Sequence, residues 1–228
     1  MNILLTGGNR GIGLALTTLY AERGDTVHVT AREPARAEAL QALAKKHSNV
    51  HIHALDVTDE KAVRALSAAL KDVKLDWLIN NAGIASPWES LEAFDASLAA
   101  QVFATNATAP LVVTRAFLPQ LSKSGDGRIF HISSRMGSIA DNTSGGAYAY
   151  RMSKAALNMA SSCLALELKA KKISSIVLHP GWVKTDMGGA GATLTVAESS
   201  TSLVSLMDRI GLAETGKFYS FDGETLPF

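Results

Sequence analysis

The sequence has only one cysteine and almost no net charge, and each of these features excludes some classes of function. Its single cysteine, Cys163, cannot form an internal disulfide and has no companion for a metal cluster, which fits a reducing compartment. The 22 lysines and arginines nearly balance the 21 aspartates and glutamates, so a net charge of +1 offers no broad attraction to nucleic acid or anionic membranes. We therefore expect small-molecule partners and no nucleic acid.

The chain also lacks an obvious leader and any long apolar run. After Met1 a short apolar segment reaches a glycine-rich stretch at once, which leaves no room for the parts of a signal peptide. A bilayer span needs about 20 consecutive apolar residues, and we find no run of that length. The sequence therefore predicts a cytoplasmic protein that binds no membrane.

Short β-rich segments alternate with longer helical ones along the chain, which is typical of a parallel sheet with crossover helices. We place strands near 2–6, 26–30, 50–55, 75–80, 127–133, 173–179 and 217–220, and helices over 12–22, 35–46, 60–70, 91–117, 148–170 and 196–210. With 228 residues, 47% of them hydrophobic, one sizeable core is expected. The prediction is an α/β fold: a doubly wound parallel seven-stranded sheet with helices on both faces, one domain over 1–228, and a mobile loop near 186–195.

A glycine-rich segment follows the first predicted strand and opens a helix: Thr6-Gly7-Gly8-Asn9-Arg10-Gly11-Ile12-Gly13. Glycines there let backbone N–H groups approach a pyrophosphate, whose charge the helix N-terminus favours. The alternative is a glycine-rich turn without a ligand, but dinucleotides bind at this position of such sheets. We predict a Rossmann-type domain that contacts a dinucleotide through Gly7, Asn9, Arg10, Gly11, Ile12 and Gly13.

A tyrosine and a lysine lie four residues apart in the predicted helix over 148–170. Residues at this spacing share a helix face, so the ammonium of Lys154 can approach the phenol of Tyr150. A free phenol has a pKa of about 10, and a nearby cation favours its phenolate. We expect Tyr150 to act as general acid in reduction and general base in oxidation. The alternative is a solvated helical pair.

The spacing of Gly7, Gly11 and Gly13 resembles that of the short-chain dehydrogenase/reductase family. Further segments match the family in order at predicted strand ends: Asp56-Val57, Asn80-Asn81-Ala82-Gly83, Pro180-Gly181, and Val183 with Thr185. The resemblance implies an NAD(P)-dependent oxidoreductase that interconverts a carbonyl compound and its alcohol. It also implies that the cofactor is contacted by Asp56, Val57, Asn81, Ala82, Gly83, Tyr150, Lys154, Pro180, Gly181, Val183 and Thr185.

The same resemblance implies roles around the reacting atoms. Lys154 would hold the nicotinamide ribose, Ser134 would hydrogen-bond the substrate carbonyl, and Asn106 would support Lys154 through a water relay. Ser133 and Ser134 are adjacent, so only one faces the site; in the family's Ser-Ser-x-x-Gly pattern the second serine is catalytic. The segment 140–146 lengthens the interval from Ser134 to Tyr150 and looks like that of the C-factor-like and sniffer-like carbonyl reductase branch.

The choice of dinucleotide depends on the end of the second predicted strand, around Arg32 and Glu33. Enzymes that select NAD usually place an acidic residue there to bind the ribose 2′-hydroxyl. Arg32, together with Arg10, could instead converge on a 2′-phosphate. If the chain turns after Arg32, Glu33 reaches the ribose and favours NAD. We expect NADP(H) to be preferred and NAD(H) to be possible.

Three functions fit these residues. The leading one is carbonyl reduction or alcohol oxidation. The second is a dinucleotide-binding signalling or regulatory protein with secondary enzymatic activity. The third is an epimerase or dehydratase, against which the glycine spacing and the short C-terminal region argue. The sequence does not identify the substrate.

Four large apolar residues either line a substrate pocket or belong to the core: Trp88, Met136, Trp182 and Met187. His51, His53, His131 and His179 lack the spacing of a metal site, so we expect none. By resemblance to the family we expect a homodimer or homotetramer that pairs the helices around 98–117 and 155–168.

Overall fold

The computed structural model describes residues 1–228 and is built around one seven-stranded sheet. Its strands are β1 (Asn2–Leu5), β2 (Thr26–Ala31), β3 (Val50–Ala54), β4 (Trp77–Asn80), β5 (Gly127–Ile132), β6 (Ile173–His179) and β7 (Phe218–Ser220). All pairs are parallel, in the order β3-β2-β1-β4-β5-β6-β7. The order reverses between β1 and β4, where doubly wound sheets bind ligands beyond the carboxyl ends of their strands.

Helices cover both faces of the sheet: α1 (Gly11–Glu22), α2 (Glu38–Lys46), α3 (Glu60–Ala69), α4 (Ala96–Phe103), α5 (Ala109–Ser122), α6 (Tyr148–Leu168) and α7 (Val196–Arg209). The helices α1, α2 and α7 bury Leu16, Leu40 and Leu203 on one face. The helices α3, α5 and α6 cover the other face, with Val63 and Phe117 in its core. The predicted α/β fold is confirmed.

The predicted helix over 91–117 differs most from the structure. It begins at Ala96, because the Asp95 carboxylate accepts hydrogen bonds from the N–H groups of Ser97 and Leu98 at 2.8 and 3.1 Å. A π-helical segment, Ala104–Thr108, joins α4 to α5, which continues to Ser122. Such wider turns often occur at functional sites. This one carries Asn106.

The helical stretch Ala96–Ser122 is long and apolar enough, by length and composition alone, to cross a membrane. Polar residues, among them Gln101, Asn106 and Arg115, interrupt the stretch, so it contains no unbroken apolar run of about 20 residues. In the structure Val102, Val113 and Phe117 of this stretch are buried within the protein. Core helices pass the same test of length and composition.

The loop predicted near 186–195 lies between β6 and α7. It folds back on itself, with hydrogen bonds from Lys184 N to Leu194 O at 2.8 Å and from Leu194 N to Trp182 O at 3.0 Å. The loop therefore stands at the carboxyl edge of the sheet, and its mobility stays a prediction.

Candidate active site

The glycine-rich loop joins β1 to α1 at the point where the strand order reverses. Gly7 and Gly11 have φ angles of +73° and +54°, in the left-handed region that favours glycine. A Cβ atom on Gly13 would lie 2.2 Å from the Gly7 carbonyl oxygen, so no larger residue fits there. Asn81, after β4, donates from Nδ2 to the Thr6 and Gly7 carbonyls at 3.0 and 2.9 Å. The structure thus brings two predicted cofactor segments together.

The N-terminus of α1 is left free of protein partners. It has no side-chain cap and no acidic residue in its first turn. By contrast, α3, α4 and α7 are capped by Asp59, Asp95 and Thr195. Uncapped N–H groups at the positive end of a helix dipole suit an anion. This donor set fits the pyrophosphate of a dinucleotide.

Arg32, after β2, and Asp56, after β3, are exposed residues where the ribose and adenine of a dinucleotide are expected. Arg32 follows β2 and forms no salt bridge, whereas Glu33 pairs with Arg36 at 3.0 Å. Hydrogen bonds from Thr58 lower the pKa of Asp56, and Arg32 lowers it further by a smaller amount. The side chain of Val57 is buried in the core.

Arg10 forms a contact that the sequence did not predict, and its convergence with Arg32 on a 2′-phosphate stays a prediction. Its guanidinium forms a salt bridge with Asp186, in the loop after β6, and both side chains are exposed. The same loop touches the glycine-rich turn, since Thr185 Cγ2 would be 3.3 Å from a Cβ atom on Gly11. The residues after β6 therefore lie against the turn that would hold the pyrophosphate.

The start of this loop is shaped by Pro180 and Gly181. The Ser199 hydroxyl donates to the Pro180 carbonyl at 2.6 Å. Gly181 has a φ angle of +83°, and a Cβ atom there would lie 2.3 Å from Leu194 Cδ1. These contacts direct the chain from β6 back toward α1, where Val183 and Thr185 were predicted to contact the cofactor.

Lys154 is a buried lysine in the middle of α6, with only 5% of its surface exposed. Its Nζ donates to the Ile132 carbonyl at 2.9 Å and lies 5.7 Å from the ring centroid of Tyr150. Burial lowers the pKa of Lys154 to about 8, because a charged ammonium loses hydration there. The predicted proximity of Lys154 and Tyr150 is confirmed.

Burial raises the pKa of Tyr150 to about 12, and a hydrogen bond with Ser134 lowers it by a smaller amount. The expectation that Lys154 brings this pKa down is therefore wrong. The ammonium donates to the Ile132 carbonyl, and burial, which disfavours the charged phenolate, is the larger cause of the shift in the pKa of Tyr150. Like a free phenol, Tyr150 is protonated at neutral pH, the form required of a general acid.

The two adjacent serines after β5 face different partners. Ser133 donates from Oγ to Asn158 Oδ1 at 2.7 Å, inside the protein. Ser134 accepts a hydrogen bond from the Met136 N–H at 3.1 Å and is the serine near enough to Tyr150 to lower its pKa. The catalytic role of Ser134 stays a prediction.

Asn106 ties the π-helical segment to its surroundings. Its Oδ1 accepts from the Ile84 N–H at 2.9 Å, and its Nδ2 donates to the Ile84 carbonyl at 2.9 Å and to Ser153 Oγ at 3.1 Å. A Cβ atom on Gly83 would lie 3.2 Å from Asn106 Oδ1 and 3.7 Å from Lys154 Nζ. Asn106 is thus close to Lys154 without bonding it, and the water relay stays a prediction.

Asn158 and Ser153 belong to the site but did not emerge from the sequence. Asn158 Nδ2 donates to the Gly137 carbonyl at 3.1 Å while its Oδ1 accepts from Ser133. A Cβ atom on Gly137 would lie 2.7 Å from Lys154 Cβ, so α6 packs directly on the serine-bearing turn. Asn158 follows Lys154 by four residues, and this helical spacing is the signal that could have revealed it.

Three of the four large apolar residues considered for a pocket are exposed: Trp88, Trp182 and Met187. Trp88 lies against Gly146, and Trp182 donates from Nε1 to the Gly188 carbonyl at 2.8 Å. The core alternative is therefore excluded for these three, whereas Met136 is partly buried. Their contact with a substrate stays a prediction.

His131 belongs to a buried polar chain behind the site. Its Nδ1 lies 3.3 Å from Asn80 Nδ2, so Nδ1 is the acceptor and Nε2–H donates to Ser175 Oγ at 3.2 Å. Burial lowers the pKa of His131 to about 3, and the charge of Lys154 contributes less. His131 is therefore neutral in the folded protein.

This burial predicts a loss of stability in acid. Below pH 6.5 the histidine is protonated in the unfolded chain but stays neutral in the folded protein. The free energy of unfolding therefore falls as the pH falls toward about 3. For this group alone we expect a loss of about 2 kcal/mol between pH 7 and pH 5. Urea unfolding at both pH values should give a smaller difference for His131→Gln. An equal difference in the variant would contradict the assignment.

Comparisons with known proteins agree with this geometry. A family model described as short chain dehydrogenase matches residues 1–193. The C-signal protein of Myxococcus xanthus is 43% identical over 166 residues, which cover 73% of this chain and 100% of that protein.

Two solved structures are similar over their whole length. The carbonyl reductase Sniffer of D. melanogaster has a TM-score of 0.95 and 38% identity, covering 100% of this chain and 99% of that one. The NADPH-bound carbonyl reductase from chicken fatty liver has a TM-score of 0.94 and 37% identity, covering 100% of this chain and 98% of that one. The predicted family and branch are confirmed.

Proposed function

Since this chain belongs to the short-chain dehydrogenase family, we propose that it is an NADPH-dependent reductase of small carbonyl compounds, with the reverse alcohol oxidation as its other direction. The observation that carries the proposal is the cluster of Ser134, Tyr150 and buried Lys154 beside the glycine-rich loop. It unites a proton donor, a hydroxyl and a cation where such sheets bind dinucleotides.

The chain's own residues would handle the oxygen of the substrate. When bound, a reduced nicotinamide cofactor supplies the hydride. Tyr150, protonated at neutral pH, donates its proton to the carbonyl oxygen as that oxygen gains negative charge. Ser134 would hydrogen-bond the same oxygen, and Lys154 would hold the nicotinamide ribose beside it. Asn106 and Asn158 hold the segments that carry these groups.

The cofactor would be held by the groups at the carboxyl edge of the sheet. The first turn of α1 suits the pyrophosphate, and Asp56 and Val57 lie at the end of β3 for the adenine side. Arg32 carries no salt bridge, whereas Glu33 is occupied by Arg36. A cation without a partner beside the ribose favours a 2′-phosphate. The similar carbonyl reductase from chicken fatty liver is NADPH-bound, which also supports NADP(H), with NAD(H) possible.

A panel of aldehydes, ketones and quinones tests this function. Purified protein should oxidise NADPH in the presence of at least one of these compounds, as measured by the loss of reduced-cofactor absorbance. Absence of turnover across the panel, with NADPH binding confirmed separately, would contradict the proposed reaction.

A second candidate function rests on the Myxococcus xanthus relative, whose name is C-signal. In that case the chain would be a dinucleotide-binding signalling protein in which catalysis is secondary. Tight NADPH binding without turnover of any panel compound would favour this function. Robust turnover would favour the reductase.

We also propose that the protein is cytoplasmic and self-associates through α4, α5 and α6. These helices expose Phe103, Leu111, Met159 and Leu166, the last of them 80% accessible. Exposed apolar groups of this kind are typical of association surfaces. Burying them between two copies would remove them from water.

Sedimentation velocity at micromolar concentration should give the mass of a dimer or tetramer. Leu166→Glu should shift the protein toward monomer, because it places a charge in the proposed interface, with a dissociation constant raised at least about tenfold. Leu91→Glu, at a side chain 68% exposed but outside these helices, should not. A monomeric wild type would contradict the proposed association.

A further inference from the structure

We propose that Glu89 is a positioning residue for Tyr150, an inference that rests on the proposed reductase function. Glu89 lies in the irregular segment between β4 and α4, and only 9% of its surface is exposed. Its Oε1 accepts a hydrogen bond of 2.7 Å from the N–H of Ala149, the residue that precedes Tyr150. A carboxylate 60 positions earlier in the chain thus reaches the first turn of the catalytic helix.

The start of α6 cannot satisfy its own N–H groups. Its cap residue, Ala147, has φ +48° and ψ +45° and supplies no side-chain acceptor. Glu89 provides two acceptors instead, because its backbone carbonyl also accepts from the Ala147 N–H at 3.0 Å. Ser86 donates to its Oε2 at 3.3 Å. Two hydrogen bonds therefore join Glu89 to the start of α6, and the Ser86 contact holds the carboxylate within its own segment.

The negative charge of Glu89 lies at the N-terminus of α6. A carboxylate near a helix N-terminus is favoured by the helix dipole, and its hydrogen bond to a backbone N–H is of the stronger, charge-assisted type. Its low exposure reduces competition from water. These properties make Glu89 the remote counterpart of the caps that α3, α4 and α7 carry in their own sequence.

The contact acts on Tyr150 because that residue occupies the first turn of α6. Later turns of the helix are held independently, by Lys154 at the Ile132 carbonyl and by Asn158 at the Gly137 carbonyl. Without Glu89 the first turn can fray while the rest of α6 stays in place. The phenol would then leave its position beside Ser134, and small displacements of a reacting group reduce rates by up to about 100-fold.

Three variants at this position separate the hydrogen bond from the charge. Glu89→Gln keeps an oxygen that can accept from Ala149 and loses the charge, whereas Glu89→Ala loses both. Glu89→Asp keeps the charge, but its shorter side chain moves the carboxylate away from the Ala149 N–H. It serves in place of Glu89→Ala if the alanine variant does not fold. Asp59→Ala is the matched control, since Asp59 caps α3 through the N–H groups of Lys61 and Ala62 at 2.9 and 3.1 Å.

We expect Glu89→Ala to lower kcat roughly 10- to 100-fold with little change in the KM for NADPH. Glu89→Gln should restore kcat to within about threefold of wild type, because the acceptor is retained. Asp59→Ala should lower the melting temperature without lowering kcat. Hydrogen exchange of residues 147–151 in the free protein should accelerate in Glu89→Ala and not in Asp59→Ala.

Two results would overturn the positioning role: a kcat for Glu89→Ala near wild type, or equal impairment of the Gln and Ala variants. If wild-type protein turns over no carbonyl compound, the proposed function fails separately. Hydrogen exchange then decides the role of Glu89, and unchanged exchange of residues 147–151 in Glu89→Ala would disprove it.

Discussion

Tyr150→Phe should abolish nearly all carbonyl reduction while leaving the fold and NADPH binding intact. The substitution removes only the phenolic hydroxyl, which we propose as the proton donor and whose pKa burial raises to about 12. General acid catalysis commonly contributes about 10²- to 10⁴-fold to a rate, and we expect a loss of kcat in this range. The measurement is steady-state oxidation of NADPH with the best compound of the panel, alongside NADPH binding by fluorescence.

Tyr148→Phe is the matched control for this variant. Tyr148 lies in the same turn of α6, and its ring packs edge-on against Phe94 at 6.2 Å between centroids. Because that contact needs no hydroxyl, Tyr148→Phe should keep kcat within a few-fold of wild type. Turnover of Tyr150→Phe close to wild type, in a carefully purified preparation, would refute the assignment of Tyr150 as the proton donor.

Arg32→Ala should narrow the preference for NADPH by raising the KM for this cofactor roughly ten- to a hundredfold. A charge-assisted hydrogen bond to a phosphate contributes about 1.5–3 kcal/mol, which corresponds to that loss of affinity. NADH lacks the 2′-phosphate, so its KM should barely change. The measurement is kcat/KM for both cofactors with one substrate in one buffer.

The control for charge is Arg64→Ala, on α3, where an exposed arginine pairs with Glu60 at 2.6 Å. It removes the same charge away from the carboxyl edge of the sheet and should leave the cofactor preference unchanged. Wild-type efficiency with NADH equal to or better than with NADPH would reject the role of Arg32. In that event Glu33, freed from Arg36, becomes the residue that selects the cofactor.

Features that depend on local spacing were predictable from the sequence alone. The glycine pattern from Gly7 to Gly13 lies between an apolar strand and a helix, and parallel strands bring their carboxyl ends to one edge. Tyr150 and Lys154 meet because helical geometry places residues four apart on one face. The alternation of segments also predicts the seven parallel strands.

Features that join distant segments were decided only by the tertiary structure. The pKa of Tyr150 rises because the folded chain excludes water from its phenol, and burial of this kind is not encoded in the neighbouring residues. Arg10 forms a salt bridge with Asp186, 176 positions away in the chain, and the Ala149 N–H donates to Glu89, 60 positions away. The π-helical segment around Asn106 likewise has no periodic signal in the sequence. Local periodicity therefore determined the elements and the identity of the central pair, whereas solvent exclusion shifted the pKa values of Tyr150 and Lys154 and long-range contacts decided the hydrogen-bond partners.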